Sequence, residues 1–200
     1  MARSVEAKAA LILGGILAAE GAWVLINLLH NPVGFLRFLG FAPGRLGEPL
    51  GWLLAALVTA AFVYHGARLP SVRANLLRPS ALKLLAMPMA LTAGVLEEAI
   101  FRKLLMDYLA TAGAGAVLQV LVSGLAFGAV HGIWGLFGRS WRAALGATLV
   151  TAALGAALAF VYLAAGRSVA ACVTAHFLID ALMEPGLVLA ALRGEMSRLR

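Results

Sequence analysis

Residues 143–165 decide the fold class, because they read AALGATLVTAALGAALAFVYLAA without a single charged side chain. About 20 apolar residues in an α-helix cross the roughly 30 Å hydrocarbon core of a bilayer, and this run exceeds that length. Its apolar residues are continuous, which is unlike the alternating strands of a membrane β-barrel. Hydrophobic residues make up 62% of the chain, well above the share in soluble domains. The sequence predicts an all-α, polytopic transmembrane helical bundle.

Windows of similar length and hydropathy recur along the chain and predict about six spans. Their approximate ranges are 9–29, 49–67, 84–108, 114–137, 143–165 and 168–191. No repeat or low-complexity linker separates them, so residues 1–200 form one predicted transmembrane domain with a motif-bearing core at about 84–191. Segment 68–83 places basic residues among leucines, and it is predicted to form a short amphipathic elbow on the cytoplasmic surface of the membrane.

The formal net charge of +7 indicates membrane topology rather than nucleic-acid binding. With a cytoplasmic N-terminus, eleven of the 16 Lys and Arg residues fall on the cytoplasmic side and five fall opposite. Those five are Arg37, Arg45, Arg102, Lys103 and Arg167. The positive-inside rule favours this distribution, with both termini cytoplasmic. The basic surface also predicts contact with membrane lipids, and a bacterial inner membrane is the expected location.

Two adjacent acids are the least expected residues in a span, and they lie within GVLEEAIFRKLL, residues 94–105. A charge near the bilayer centre costs roughly 2.5–3.5 kcal/mol on insertion scales, so such residues usually serve a function. Glu98 precedes Arg102 by four residues, the spacing and order that favour an ion pair on a helix. Glu97 points about 100° away from Glu98 and is left free to act as a general base.

Two further pairs lie on later predicted spans. Phe127 and His131 are four residues apart, as are His176 and Asp180, so each pair shares one helix face. Left separate, the charged and histidine side chains would cost on the order of 10 kcal/mol or more in a membrane. Gathered around one hydrated cavity they provide a base, two histidines and a further carboxylate for hydrolysis. The predicted catalytic set is Glu97, Glu98, Arg102, His131, His176 and Asp180.

The fourth predicted span also carries a ridge of small residues. Gly124, Gly128 and Gly132 recur at four-residue spacing, which lets another helix backbone approach closely. His131 shares this face, so we expect its ring to point into the packed bundle.

The three motifs, in this order, resemble the CPBP family of intramembrane proteases, which includes the eukaryotic CAAX prenyl endopeptidases and the bacterial Abi proteins. That family carries Glu-Glu-x-x-x-Arg, then Phe-x-x-x-His, then His-x-x-x-Asn or Asp. Here the motifs occupy residues 97–102, 127–131 and 176–180. The resemblance covers about residues 97–180, and it implies a peptide-bond hydrolase within the membrane.

The resemblance also implies roles for the motif residues. Glu97 would activate the attacking water with help from His131, and Glu98 and Arg102 would support Glu97. His176 and Asp180 would stabilise the tetrahedral oxyanion. For this, Asp180 must be protonated, hold His176 in its donating state, or bind a positive group. A mechanism without metal or other cofactor is favoured, and a zinc ion held by Glu97, His131 and His176 is the alternative.

A hydrophobic or lipid-anchored protein or peptide is the implied substrate, and no oligomeric state is predicted. Two other classes of function stay open: a proton-coupled small transporter, and a non-catalytic membrane protein of the bacteriocin-immunity type. Intramembrane acids and histidines also build proton relays, and Glu20 in the first span adds to that set. Against transport, the sequence lacks the repeated halves and paired broken helices of many transporters.

Overall fold

The computed structural model describes residues 2–134 and 140–196, and within those ranges it contains helices and turns but no strand. This confirms the predicted all-α class. The helices are α1 (Ala2–His30), α2 (Pro32–Phe38), α3 (Pro49–Gly66), α4 (Pro70–Asn75), α5 (Ala81–Glu98), a π-helical segment (Ala99–Met106), α6 (Asp107–Thr111), α7 (Ala116–His131), α8 (Trp141–Ala164) and α9 (Ala170–Leu192).

The chain is an integral membrane protein. Five helices are long and apolar enough to cross a bilayer: α1, α3, the continuous helix Ala81–Thr111, α8 and α9. The predicted fourth span corresponds to α7, which is apolar but only 16 residues long. Residues 135–137 of that predicted span lie outside the described residues. The other five predicted ranges differ from the observed helices by a few residues at most ends, and by more only at the start of α1.

The most enclosed helix is α9, and it positions much of the molecule. It packs against α1, α3, α4, α5 and α8. Its C-terminal end is tied to the predicted elbow, because the Glu195 carboxylate accepts hydrogen bonds from the Ser71 backbone N–H (3.0 Å) and hydroxyl (2.6 Å). The elbow itself ends where the Ser80 hydroxyl caps α5 by accepting from the Lys83 backbone N–H (3.1 Å).

Two prolines lie inside spans without ending them, Pro88 in α5 and Pro185 in α9. Pro185 has no N–H, so the Ala181 carbonyl four residues earlier loses its helical donor. The Lys83 ammonium replaces that donor, since it donates to the carbonyls of Ala181 (2.8 Å) and Leu182 (2.7 Å). A side chain of α5 thereby supplies the hydrogen bonds that these two carbonyl groups of α9 would otherwise lack.

The predicted glycine ridge lies at the contact between α7 and α8. A Cβ atom built on Gly128 would lie 2.5 Å from the Thr148 carbonyl oxygen and 2.8 Å from the Ala152 nitrogen. One built on Gly124 would lie 2.9 Å from the Ala156 nitrogen. The two backbones are therefore in close contact, as the glycine spacing predicted. This contact fixes the position of α7, the helix that ends in His131.

We expect Gly128→Ala to destabilise the protein by about 1–3 kcal/mol, because the added methyl group must push α7 and α8 apart. Thermal unfolding of the detergent-solubilised protein measures this loss. Gly146→Ala is the matched control on α8, since a Cβ atom there meets nothing within 4 Å. Equal stability of the two variants would contradict the close packing of these helices.

Candidate active site

Glu97 and Glu98 close α5 at the point where the backbone passes into the π-helical segment Ala99–Met106. Such turns are rare and occur frequently at functional sites. The motif spacing predicted an ordinary helix here, so the wider turn is a finding of the structure. The helix continues beyond it through α6, and Arg102 in the π-helical segment still reaches Glu98.

Glu98 and Arg102 form the predicted ion pair. Glu98 Oε2 lies 3.0 Å from Arg102 Nε, and neither side chain has any exposed surface. The guanidinium also donates to the Gly155 carbonyl of α8 (3.2 Å) and lies 4.5 Å from the centroid of the Phe127 ring. A buried charge is tolerated only with partners of this kind. The ion pair therefore forms the buried floor of the site.

His176 of α9 is bonded to the same acid. Its Nδ1 lies 2.8 Å from Glu98 Oε1, and since Arg102 already pairs with this carboxylate, Glu98 accepts and Nδ1 donates. The opposite ring nitrogen, Nε2, faces two further acids, at 3.3 Å from Asp180 Oδ2 and 3.9 Å from Glu97 Oε2. Glu98 therefore orients His176, a support that motif spacing did not predict.

His131 approaches Glu97 from the end of α7. Its Nδ1 lies 2.8 Å from the Phe127 carbonyl oxygen, which can only accept, so Nδ1 carries a proton. In the neutral ring the lone pair then lies on Nε2, which is 3.8 Å from Glu97 Oε2. Glu97 Oε2 has no hydrogen-bond partner within the described part of the chain. Two imidazole nitrogens thus flank one buried carboxylate oxygen, each at slightly more than hydrogen-bonding distance.

Exposure divides these six residues into a front and a back. The side chains of Glu97 and His131 are each 19% exposed and that of Asp180 is 18% exposed. His176 is 3% exposed, and Glu98 and Arg102 are fully buried. Glu97, His131 and Asp180 therefore lie on the partly exposed side of the cluster, although Glu97 Oε2 itself is buried, and the other three residues lie behind them.

Phe127 is the common packing surface of the three motifs. Its ring is fully buried, with its centroid 4.5 Å from that of His131 and 5.6 Å from that of His176. Arg102 covers the same ring. The phenylalanine of the second motif therefore positions both histidines and the arginine by packing against them, and it has no group that could transfer a proton.

Glu184 is a buried acid near the site that the motif search missed. It lies four residues after Asp180 and eight after His176, so all three share one face of α9. It is 7% exposed and within electrostatic range of Asp180, Glu97 and Glu20. Glu20 of α1 is likewise near Glu97 and Asp180. Extending the four-residue spacing of the third motif by one step would have found Glu184.

The site residues do not form a metal cage. Among residues 2–134 and 140–196, no group of three His, Cys, Asp or Glu side chains is arranged to hold a metal ion. The predicted zinc set of Glu97, His131 and His176 is not found as such a group.

Comparison with known proteins adds one match. Residues 79–182 match the family model described as Type II CAAX prenyl endopeptidase Rce1-like, and this range contains all three motifs. No curated protein and no solved structure matches the chain.

Proposed function

Because the chain belongs to the Rce1-like family of type II CAAX prenyl endopeptidases, we propose that this membrane protease uses Glu97 to activate the attacking water. The family match confirms the resemblance indicated by the motifs. One observation carries the mechanistic proposal: Glu97 Oε2 lies 3.8 Å from His131 Nε2 and 3.9 Å from His176 Nε2. A carboxylate with a histidine on either side can act as the general base that activates a water for hydrolysis.

In the first step, a water between Glu97 and His131 donates one hydrogen to the carboxylate and the other to Nε2 of the ring. The bond from His131 Nδ1 to the Phe127 carbonyl favours this arrangement, because it leaves Nε2 as an acceptor. The water oxygen then has a free lone pair to attack the scissile carbonyl carbon. Glu97 takes the proton that the water loses.

In the same step, the carbonyl oxygen gains negative charge and needs a donor. We assign the role of this donor to His176 Nε2. Nδ1 of the same ring already donates a hydrogen bond to Glu98, and Asp180 Oδ2 lies 3.3 Å from Nε2. Because Asp180 lies beside Nε2, it favours a proton on that nitrogen, and the ring can then donate to the oxyanion. Of the three roles that the sequence left open for Asp180, holding His176 in its donating state agrees best with this geometry.

In the second step, Glu97 returns its proton to the leaving nitrogen as the carbon–nitrogen bond breaks. The products are a carboxyl group on one fragment and an amine on the other. Arg102 takes no proton in this scheme, because it is buried behind the site and paired with Glu98.

The substrate class follows from the family. Its description is that of a CAAX prenyl endopeptidase, so we assign this protein a membrane-associated prenylated peptide or protein as substrate. A prenyl group would hold such a substrate at the bilayer in which the protein lies.

The test is a cleavage assay with the purified full chain in detergent. A farnesylated peptide ending in Cys-aliphatic-aliphatic-X should lose its last three residues, as identified by mass spectrometry. The same peptide without the farnesyl group should be cleaved at least about tenfold more slowly, because it lacks the apolar group that brings it to the membrane. Failure of the folded protein to cleave either peptide would contradict the assigned substrate class.

The same reaction after treatment with a zinc chelator separates the two mechanisms. We expect the rate to change by less than about twofold, because Glu97 and the histidines act without a metal in this scheme. Loss of cleavage that added Zn²⁺ restores would establish the zinc alternative instead.

A further inference from the structure

A cavity lies where α2, the connection 39–48 and the turn after α8 meet. Its volume is about 540 Å³, and its lining contains one acidic residue, Glu48, and four basic residues, Arg37, Arg45, Lys103 and Arg167. Asp107 neutralises part of this charge by pairing with Lys103 (2.9 Å) and Arg167 (2.6 Å). Arg37 and Arg45 have no acidic partner in the described ranges, and both are exposed. We call this cavity the basic pocket.

The basic pocket has a fixed wall rather than a loose loop. The Glu48 backbone N–H donates to the Ala165 carbonyl (3.3 Å), and the Ser168 hydroxyl donates to the Arg45 carbonyl (2.7 Å). Gly47 adopts a φ of 84° and passes so close that a Cβ atom there would lie 2.5 Å from the Ala165 oxygen. The connection 39–48 is therefore held against the turn after α8, which fixes the backbone that carries Arg45.

An apolar groove lies on the other side of α2. Its volume is about 260 Å³, and its walls come from α1, α2, α5 and α9 with Thr174 as the one polar side chain among them. Phe35 and Leu36 contribute the α2 wall, and Leu39 and Phe41 of the connection 39–48 also line the groove. The same connection lines the basic pocket through Gly40, and Leu91 places the groove against the membrane-spanning helix Ala81–Thr111. We call it the apolar groove.

We propose that the basic pocket and the apolar groove together bind one anionic phospholipid, with its phosphate at Arg37 and Arg45 and an acyl chain in the apolar groove. Excess positive charge next to a hydrocarbon-lined groove complements a molecule that is negative at one end and apolar at the other. A zwitterionic lipid lacks the net charge, and a free phosphate lacks the chain. The site is separate from the catalytic residues and does not depend on the proposed reaction.

The experiment titrates phosphatidylglycerol into the detergent-purified full chain and follows bound lipid by native mass spectrometry. We expect one tightly bound molecule, with phosphatidylcholine at least about tenfold weaker. Arg37→Gln combined with Arg45→Gln should weaken phosphatidylglycerol binding by on the order of tenfold or more, since each basic side chain near the surface contributes to the attraction. Arg73→Gln combined with Arg78→Gln is the matched control, because these exposed arginines lie in the elbow.

The apolar groove is tested separately. Leu91→Trp fills the groove and should also weaken phosphatidylglycerol binding by about tenfold, whereas Leu84→Trp, on an exposed position of the same helix, should not. Equal binding of phosphatidylcholine, or full displacement of the lipid by inorganic phosphate, would overturn the proposal. Unchanged binding by the Arg37 and Arg45 variant, or by Leu91→Trp, would overturn it as well.

Discussion

Replacing Glu97 with Gln is expected to lower the cleavage rate by about 10²–10⁴-fold, the usual contribution of a general base. The amide has the same shape but cannot take a proton from the water between it and His131. Because Glu97 Oε2 has no hydrogen-bond partner in the described chain, the substitution breaks no bond that holds the fold. The unfolding temperature should therefore stay within a few degrees of that of the wild type.

The measurement compares the two proteins at matched levels in membranes, with peptide termini mapped by mass spectrometry. A terminus present only with the wild type identifies the substrate and the cleaved bond together. Glu6→Gln is the control, since Glu6 is exposed near the start of α1. Full cleavage by Glu97→Gln would show that another group activates the water.

Replacing Arg102 with Ala is expected to destabilise the protein by about 3–5 kcal/mol, as when one partner of a buried ion pair is removed. Glu98 would then keep only His176 as a partner, in a site without exposed surface. The Gly155 carbonyl would also lose its donor, and the Phe127 ring would lose the guanidinium above it. Cleavage should fall together with stability, because Glu98 orients His176.

Thermal unfolding in detergent and the yield extracted from membranes both measure this effect. Arg78→Ala, which removes an exposed arginine of the elbow, should behave as the wild type. Normal stability and activity of Arg102→Ala would contradict the role given to the ion pair.

The local features of this protein were predictable because they depend on spacing along one helix. The run 143–165 indicated a membrane helix, and α8 occupies almost the same residues. The four-residue spacing of Glu98 and Arg102 predicted their ion pair, and the glycine spacing predicted the close contact of α7 with α8. The protease family was indicated by the order of the three motifs, which can be read directly from the sequence.

The contacts between helices were not predictable from spacing. Glu98 and His176 are 78 residues apart, and no periodicity indicates that a carboxylate on α5 orients a ring on α9. The π-helical segment Ala99–Met106 likewise corresponds to no residue pattern that we recognised in the sequence. The basic pocket joins residues from four separate segments, and in the sequence its arginines indicated only the side of the membrane on which they lie.

The missing hydrogen bond at Pro185 has a mechanical consequence for the membrane. A helix bends most readily where its backbone bonding is interrupted, and in α9 this point lies five residues beyond Asp180. Lys83 fastens the carbonyls just before it to α5, the helix that carries Glu97 and Glu98. We therefore expect changes in bilayer thickness or lateral pressure to bend the end of α9 after Pro185. We expect the half that carries His176 and Asp180 to keep its position relative to Glu97 and Glu98.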